Sequence, residues 1–114
     1  NVYKDRKIIS VFEPHRYSRI ISLKKNFASS FKKSNMVLLC PIYAAGEKKN
    51  PRYNHNEFAK LISKFSNTQV IIIENFKDLE TYFKKNLMSN EIIIGMGAGL
   101  ISKFMRELKV VLWA

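Results

Sequence analysis

The chain has 114 residues, 46% of them apolar, which fits one soluble globular domain and excludes a disordered tail. Its 20 basic and 9 acidic side chains give a formal net charge of +11, a balance that points to nucleic acid or an anionic small molecule as partner. No apolar run is long enough to span a bilayer and no signal peptide opens the chain, so neither a membrane span nor secretion is expected.

The single cysteine, Cys40, cannot close an intrachain disulfide, which places the chain in a reducing cytosol. The chain opens without Met, and the expectation is a fragment whose missing part lies upstream. Much of the positive charge is Lys spread over helix faces, as at Lys24, Lys25, Lys32, Lys33, Lys84 and Lys85. With abundant Asn and Ile it reads first as a solvated surface from AT-rich coding.

Residues 7–12 are β-branched, nearly continuously apolar and stopped by Pro14, the pattern of a first strand. A helix is expected from about Ser18 to Lys33, with Ile20, Leu23, Phe27 and Phe31 as its buried stripe. Residues 35–40 form a second strand ended by Pro41, and a long loop runs through Tyr43-Ala44-Ala45-Gly46-Glu47 to Tyr53. Asn54 with Glu57 reads as a capping box. It opens a helix with Phe58, Leu61, Ile62 and Phe65 inward.

Residues 69–73 are a third strand, and Asn75 caps a helix carrying Phe76, Leu79, Phe83 and Leu87 on one face. Residues 91–94 are a fourth strand. Gly95-Met96-Gly97-Ala98-Gly99 turns it into a last helix with Ile101, Phe104, Met105 and Leu108 inward. Residues 110–113 read as a short fifth strand or a contact with a missing domain.

Strand and helix thus alternate four times, and the strands are apolar on both faces. That predicts an α/β fold, a mostly parallel sheet with helices on both faces in a single domain. Ligands of such sheets bind beyond the carboxyl ends of the strands, at a switch in strand order. The His15-Arg16 turn, the Tyr43–Glu47 loop and the Gly-rich turn each follow a strand, so all three share one sheet edge.

Gly95, Gly97 and Gly99 invite a dinucleotide-binding reading, which fails. Position 100 is Leu100, the motif is in the last strand–helix unit, and no acidic residue stands about twenty residues on. What remains is close approach of backbone N–H groups to an anion or acyl group, or tight packing against a neighbouring strand. No phosphate-cradling G-x-x-x-x-G-K-[ST] loop is present.

The turn Pro14-His15-Arg16-Tyr17-Ser18-Arg19 is the main candidate site. Arg16 and Arg19 are three apart and share a face on a first helical turn. Beside a helix N-terminus they would hold a carboxylate or phosphate through charge-assisted hydrogen bonds of about 1.5–3 kcal/mol each. Glu13 and Glu47 are the possible internal partners. His15 could orient the same anion. His55 is far off in sequence and no metal-ligand spacing appears, so no metal is expected here.

Taken in order and spacing, Pro14-His15-Arg16-Tyr17-Ser18-Arg19, Tyr43-Ala44-Ala45-Gly46-Glu47 and Met96-Gly97-Ala98-Gly99 resemble the C-terminal domain of the Mur ligases of bacterial peptidoglycan synthesis. Within that family the resemblance is to the branch that adds L-alanine to UDP-N-acetylmuramate, and it covers essentially residues 1–114. Many members carry Asp after Gly-Ala-Gly where this chain has Leu100, so no acidic role is carried over there. The resemblance implies a Rossmann-like domain that closes over a central ATPase domain, with a UDP-binding domain further upstream. It implies ATP and Mg2+ bound mainly by that central domain, a cytoplasmic location, and no activity from the isolated domain. His15, Arg16 and Arg19 would meet a substrate carboxylate or the charge of the intermediate. Tyr43, Ala44, Gly46, Glu47, Gly97, Ala98 and Gly99 would shape the alanine end.

A free-standing α/β enzyme of another kind finds no nucleophile–base pair or paired carboxylates in the sequence to support it, and two further rivals stand beside this reading. One is a basic nucleic-acid-binding α/β module, disfavoured because the aromatics fall at core spacing and the lysines gather on no single predicted element. The other is a sibling ligase adding a different amino acid or peptide. The expected partners are therefore UDP-N-acetylmuramate, L-alanine, ATP and the upstream domains, with neither nucleic acid nor membrane.

Overall fold

Four short runs of aliphatic residues build the sheet of this protein. A computed structural model describes residues 7–86 and 91–97. Its elements are β1 (Ile8–Phe12), α1 (Tyr17–Ser22), α2 (Lys24–Ala28), β2 (Met36–Leu39), α3 (His55–Ser66), β3 (Gln69–Ile72), α4 (Phe76–Asn86) and β4 (Ile92–Met96). The last helix, Leu87, residues 110–113, Ala98 and Gly99 of the sequence reading lie outside the described residues.

The four strands are all parallel, in the order β3-β2-β1-β4. Val11 is level with Leu38 on one side and Gly95 on the other, and Leu38 with Ile71. Successive side chains leave opposite faces of a strand. Ile9, Val11, Leu38, Cys40 and Ile93 accordingly pack with Leu79 and Phe83 of α4. Phe12, Val37 and Leu39 pack on the other face with Ile20, Ala28, Phe31, Phe58 and Ile62. This two-sided burial is why the strands lack polar alternation, and the fold is the single α/β domain expected.

From β1 the chain steps outward to β2 and β3. It then returns past β1 to lay down β4. The direction of strand order therefore reverses between β1 and β4, and the ends of those two strands define the crevice where such sheets hold ligands.

Three details depart from the sequence reading. The first helix is not continuous from Ser18 to Lys33. It bends at Leu23, which closes α1 and opens α2 with φ −114° and ψ 27°, and α2 ends at Ala28. Ser29 Oγ donates to the Lys25 carbonyl at 3.0 Å and Ser30 Oγ to that of Asn26 at 2.6 Å. Such hydroxyls compete for carbonyls a helix would use, and here they accompany its end. The bend leaves Leu23 exposed and seats Ala28 in the core instead.

On α3, Phe65 is exposed rather than inward, and Ala59 and Ser66 are buried with Phe58 and Ile62. Ser66 is buried because it is used. Its Oγ donates to the Ala28 carbonyl at 2.5 Å and accepts from Phe31 N–H at 3.0 Å, so it closes the end of α2. Finally, Gly95 and Met96 belong to β4, paired with Val11 and Phe12, so the Gly-rich turn starts only at Gly97.

Candidate functional site

β1 and β2 remain tied beyond their last ladder residues. Cys40 N–H donates to the Phe12 carbonyl at 2.8 Å, Tyr43 N–H to Pro14 at 2.7 Å and Arg16 N–H to Tyr43 at 2.8 Å. His15 and Tyr43 form an isolated parallel bridge, with ring centroids 5.4 Å apart, edge to face. Pro14 can only accept in such a ladder, and that is its role here. The two sequence motifs are thus one strip of backbone at the carboxyl edge of the sheet.

Arg16 is not in the helix. It is the residue before α1, with φ 69° and ψ 130°, a conformation that costs a side-chain-bearing residue about 1–3 kcal/mol. The face-sharing of Arg16 and Arg19 expected from helical spacing is therefore not how the turn is built. Both side chains are exposed, and only Arg19 lines the crevice.

Residues Ala44 to Glu47 make a tight turn closed by Glu47 N–H to the Ala44 carbonyl at 3.0 Å. Its central residues, Ala45 and Gly46, have φ of 52° and 89°, as in a type I′ turn. A methyl on Gly46 would meet nothing within 4 Å, so glycine serves the backbone conformation and not space.

This turn delivers the Glu47 carboxylate to the start of α1. Ser18 donates its N–H to Oε1 at 3.2 Å and its Oγ–H to Oε2 at 2.5 Å. These bonds, with smaller help from Tyr17 N–H and the Arg16 charge, hold the Glu47 carboxyl below the usual carboxylate range. The carboxylate expected at this helix start is thus supplied by the chain itself.

At the strand-order reversal lies a cleft of about 340 Å³. Phe12, Phe27, Phe31 and Met96 form its apolar walls, and Glu13, His15, Arg19, Ser30 and Gly97 supply its polar groups and backbone. The Arg19 guanidinium lies 5.6 Å from the Phe27 ring centre, a cation–π contact that orients it. Glu13 is buried, and its N–H donates to the Met96 carbonyl at 2.8 Å. Arg19 brings a positive charge to a largely apolar cleft, which suits a small molecule with an anionic group.

A second cleft of about 390 Å³ lies over the ends of β2 and β3, among Tyr17, Lys49, Tyr53, His55, Asn56 and Glu74. Tyr53 meets Tyr17 edge to face at 5.6 Å, and its hydroxyl pairs with His55 Nδ1 at 2.5 Å. Burial lowers the His55 pKa, partly offset by Glu74, and burial raises that of the Tyr53 phenol. Sequence reasoning assembled none of this second cleft, because its residues come from separate elements at no diagnostic spacing. It likewise missed Phe27 and Ser30 in the first cleft.

Of the residues singled out in the sequence, the structure brings His15, Arg16, Tyr43, Ala44, Gly46 and Glu47 into one bonded strip. Arg19 and Gly97 stand beside it on the cleft. Ala98 and Gly99 lie outside the described residues. Cys40 is buried, and burial, reinforced by the nearby Glu13 charge, pushes its thiol up to about 12, which makes it a packing residue. Among the described residues no group of three or more His, Cys, Asp or Glu side chains could hold a metal ion.

No protein-family model matches the chain. It is 45% identical over 106 residues to the UDP-N-acetylmuramate–L-alanine ligase of Pelagibacter ubique (strain HTCC1062), a match covering 93% of this chain and 23% of that protein. The chain belongs to the UDP-N-acetylmuramate–L-alanine ligase family. Ligases of the same name from Sulfurihydrogenibium sp. (strain YO3AOP1) and Prochlorococcus marinus (strain MIT 9313) are 33% and 35% identical, over 89% and 90% of this chain. The chain spans 21% to 23% of the length of these relatives, and the match falls on their C-terminal domain.

Proposed function

We propose that this chain is the C-terminal domain of an ATP-dependent ligase that joins L-alanine to UDP-N-acetylmuramate in the bacterial cytoplasm. The observation that carries the reading is convergence. Two of the three motifs behind the family resemblance, residues 14–19 and 43–47, come from different loops, yet they meet in one strip beside the cleft at the strand-order reversal. In this reading the upstream domains bind the UDP-sugar and ATP with Mg2+, and this domain closes over the reacting carboxylate.

The chemistry is an acyl transfer. The lactyl carboxylate of the sugar takes the γ-phosphoryl group of ATP, releasing ADP, and the amine of L-alanine then displaces phosphate to form the amide. In this reading Arg19, steadied on Phe27, holds a substrate carboxylate or the charge of the acyl phosphate, with His15 beside it. Arg16 lies at the mouth of the same turn. Tyr43, Ala44, Gly46 and Glu47 fix the strip from behind, and Gly97 offers close backbone approach at the end of β4. Mg2+ supplies charge neutralisation on the nucleotide, and no step assigned to this chain runs through it.

The test is product formation by the full-length gene product with ATP, Mg2+ and UDP-N-acetylmuramate, followed by mass spectrometry. The expected product is UDP-N-acetylmuramoyl-L-alanine, formed with L-alanine in preference to glycine, serine or D-glutamate. Residues 1–114 alone are expected to form none. Product with D-glutamate instead would make it a sibling ligase, and no product with any amino acid would remove the reading.

A further inference from the structure

Six of the twelve lysines among the described residues lie on one layer once the chain folds. α2 and α3 lie side by side over one face of the sheet, tied where Ser66 bonds Ala28 and Phe31. Their outer surface and the turn after α2 carry Lys25, Lys32, Lys33, Lys60 and Lys64, all exposed, with Lys24 half-buried. Glu57, in the first turn of α3, is the one acidic residue of these segments.

The opposite layer is different. α4 alternates Lys77, Asp78, Glu80, Lys84 and Lys85, and Lys84 is paired with Glu80 at 2.9 Å. Among the described residues no ion pair within 4 Å involves a lysine of the α2–α3 layer, so that layer is not neutralised on its own surface. Lys60 and Lys64 even stand four apart on α3, a like-charge spacing that slightly destabilises a helix. Two of the three large apolar side chains exposed among the described residues, Leu23 and Phe65, are on this same layer. The Lys64 ammonium sits 5.7 Å from the Phe65 ring centre.

Ammonium groups beside partly exposed aliphatic and aromatic side chains match an anionic bilayer surface, where cations meet head groups and apolar groups reach the interface. A single-stranded nucleic-acid face would instead carry stacking aromatics along a groove, and Leu23 cannot stack on a base. We propose that the α2–α3 face docks reversibly on an anionic phospholipid surface. This inference does not rest on the ligase reading. It refers to surface association only, since no helix among the described residues is long and apolar enough to cross a membrane.

The test is flotation of the full-length gene product with vesicles of phosphatidylcholine alone or mixed with phosphatidylglycerol, at rising salt. Binding is expected only to the anionic vesicles and is expected to fall as salt rises. Each lysine near such a surface strengthens binding roughly fivefold, so reversing Lys25, Lys32, Lys33 and Lys64 to Glu should weaken it more than about a hundredfold. Leu23→Ser should weaken it a few-fold without altering charge, and Lys77→Glu with Lys85→Glu on α4 should leave it unchanged. Equal binding to both vesicle types, binding to neither, or equal loss from the α4 variant would overturn the proposal. So would tight oligonucleotide binding without vesicle binding, which would give the face to nucleic acid.

Discussion

The carboxylate of Glu47 accepts both the N–H and the Oγ–H of Ser18, 29 residues earlier in the chain. One acidic side chain thereby fastens the Tyr-Ala-Ala-Gly-Glu turn to the His-Arg-Tyr-Ser-Arg turn. It also caps α1, whose own preceding residue, Arg16, provides no side-chain cap. Because the bonds favour the charged carboxylate, its folded pKa lies below the ordinary 4.5. A depressed carboxyl pKa contributes stability above the unfolded value and loses it as pH falls through the folded one. Glu47→Gln should therefore be less stable than the parent near neutral pH, with the difference shrinking below 4.5. Urea unfolding of both proteins across that pH range measures it, and hydrogen exchange at the Ser18 amide should quicken in the variant.

Arg16 yields a second expectation through its backbone. At φ 69° a side chain is a cost, so Arg16→Gly should be more stable than Arg16→Ala by about 1 kcal/mol. In a helix interior the order would be reversed. Thermal unfolding of the two variants decides it.

Ser66 predicts a larger loss. Removing its hydroxyl leaves the Ala28 carbonyl and the Phe31 N–H without the partner they use, inside the core. Each unsatisfied group costs about 1–3 kcal/mol, so Ser66→Ala should destabilise by at least about 2 kcal/mol. An exposed serine such as Ser63 should tolerate the same change within about 0.5 kcal/mol.

Cys40 should be silent to thiol reagents. Buried and with its pKa pushed up to about 12, it carries almost no thiolate at neutral pH. Alkylation followed by mass spectrometry should label it only after unfolding in denaturant.

Most of the sheet was legible because each strand is an uninterrupted aliphatic run between turn residues, and Asn54 and Asn75 announced their helices. Both do cap, accepting from Glu57 and Asp78 N–H at 2.9 Å. The bend at Leu23 was not legible, since Ile20, Leu23, Phe27 and Phe31 fit a straight helix equally well. Ser29 and Ser30 were the signal available. Phe65 misled because helical spacing marks a stripe wider than the face that Phe58 and Ile62 bury. Strand order, and hence the place of the cleft between β1 and β4, depends on crossovers that periodicity does not encode. His15, Tyr43 and Glu47 could be placed on one edge from the strand ends, whereas the Glu47–Ser18 bonds needed the turn geometry of Ala45 and Gly46.

The most direct measurement is L-alanine-dependent phosphate release by the full-length gene product with ATP, Mg2+ and UDP-N-acetylmuramate, for the parent, Arg19→Ala and Arg16→Ala. The account predicts release that depends on L-alanine. It predicts a loss of about tenfold to a hundredfold in Arg19→Ala, the variant that empties the cleft wall, and a smaller loss in Arg16→Ala. Undiminished release from Arg19→Ala would contradict the placement of the site, and the absence of alanine-dependent release from the parent would contradict the ligase itself.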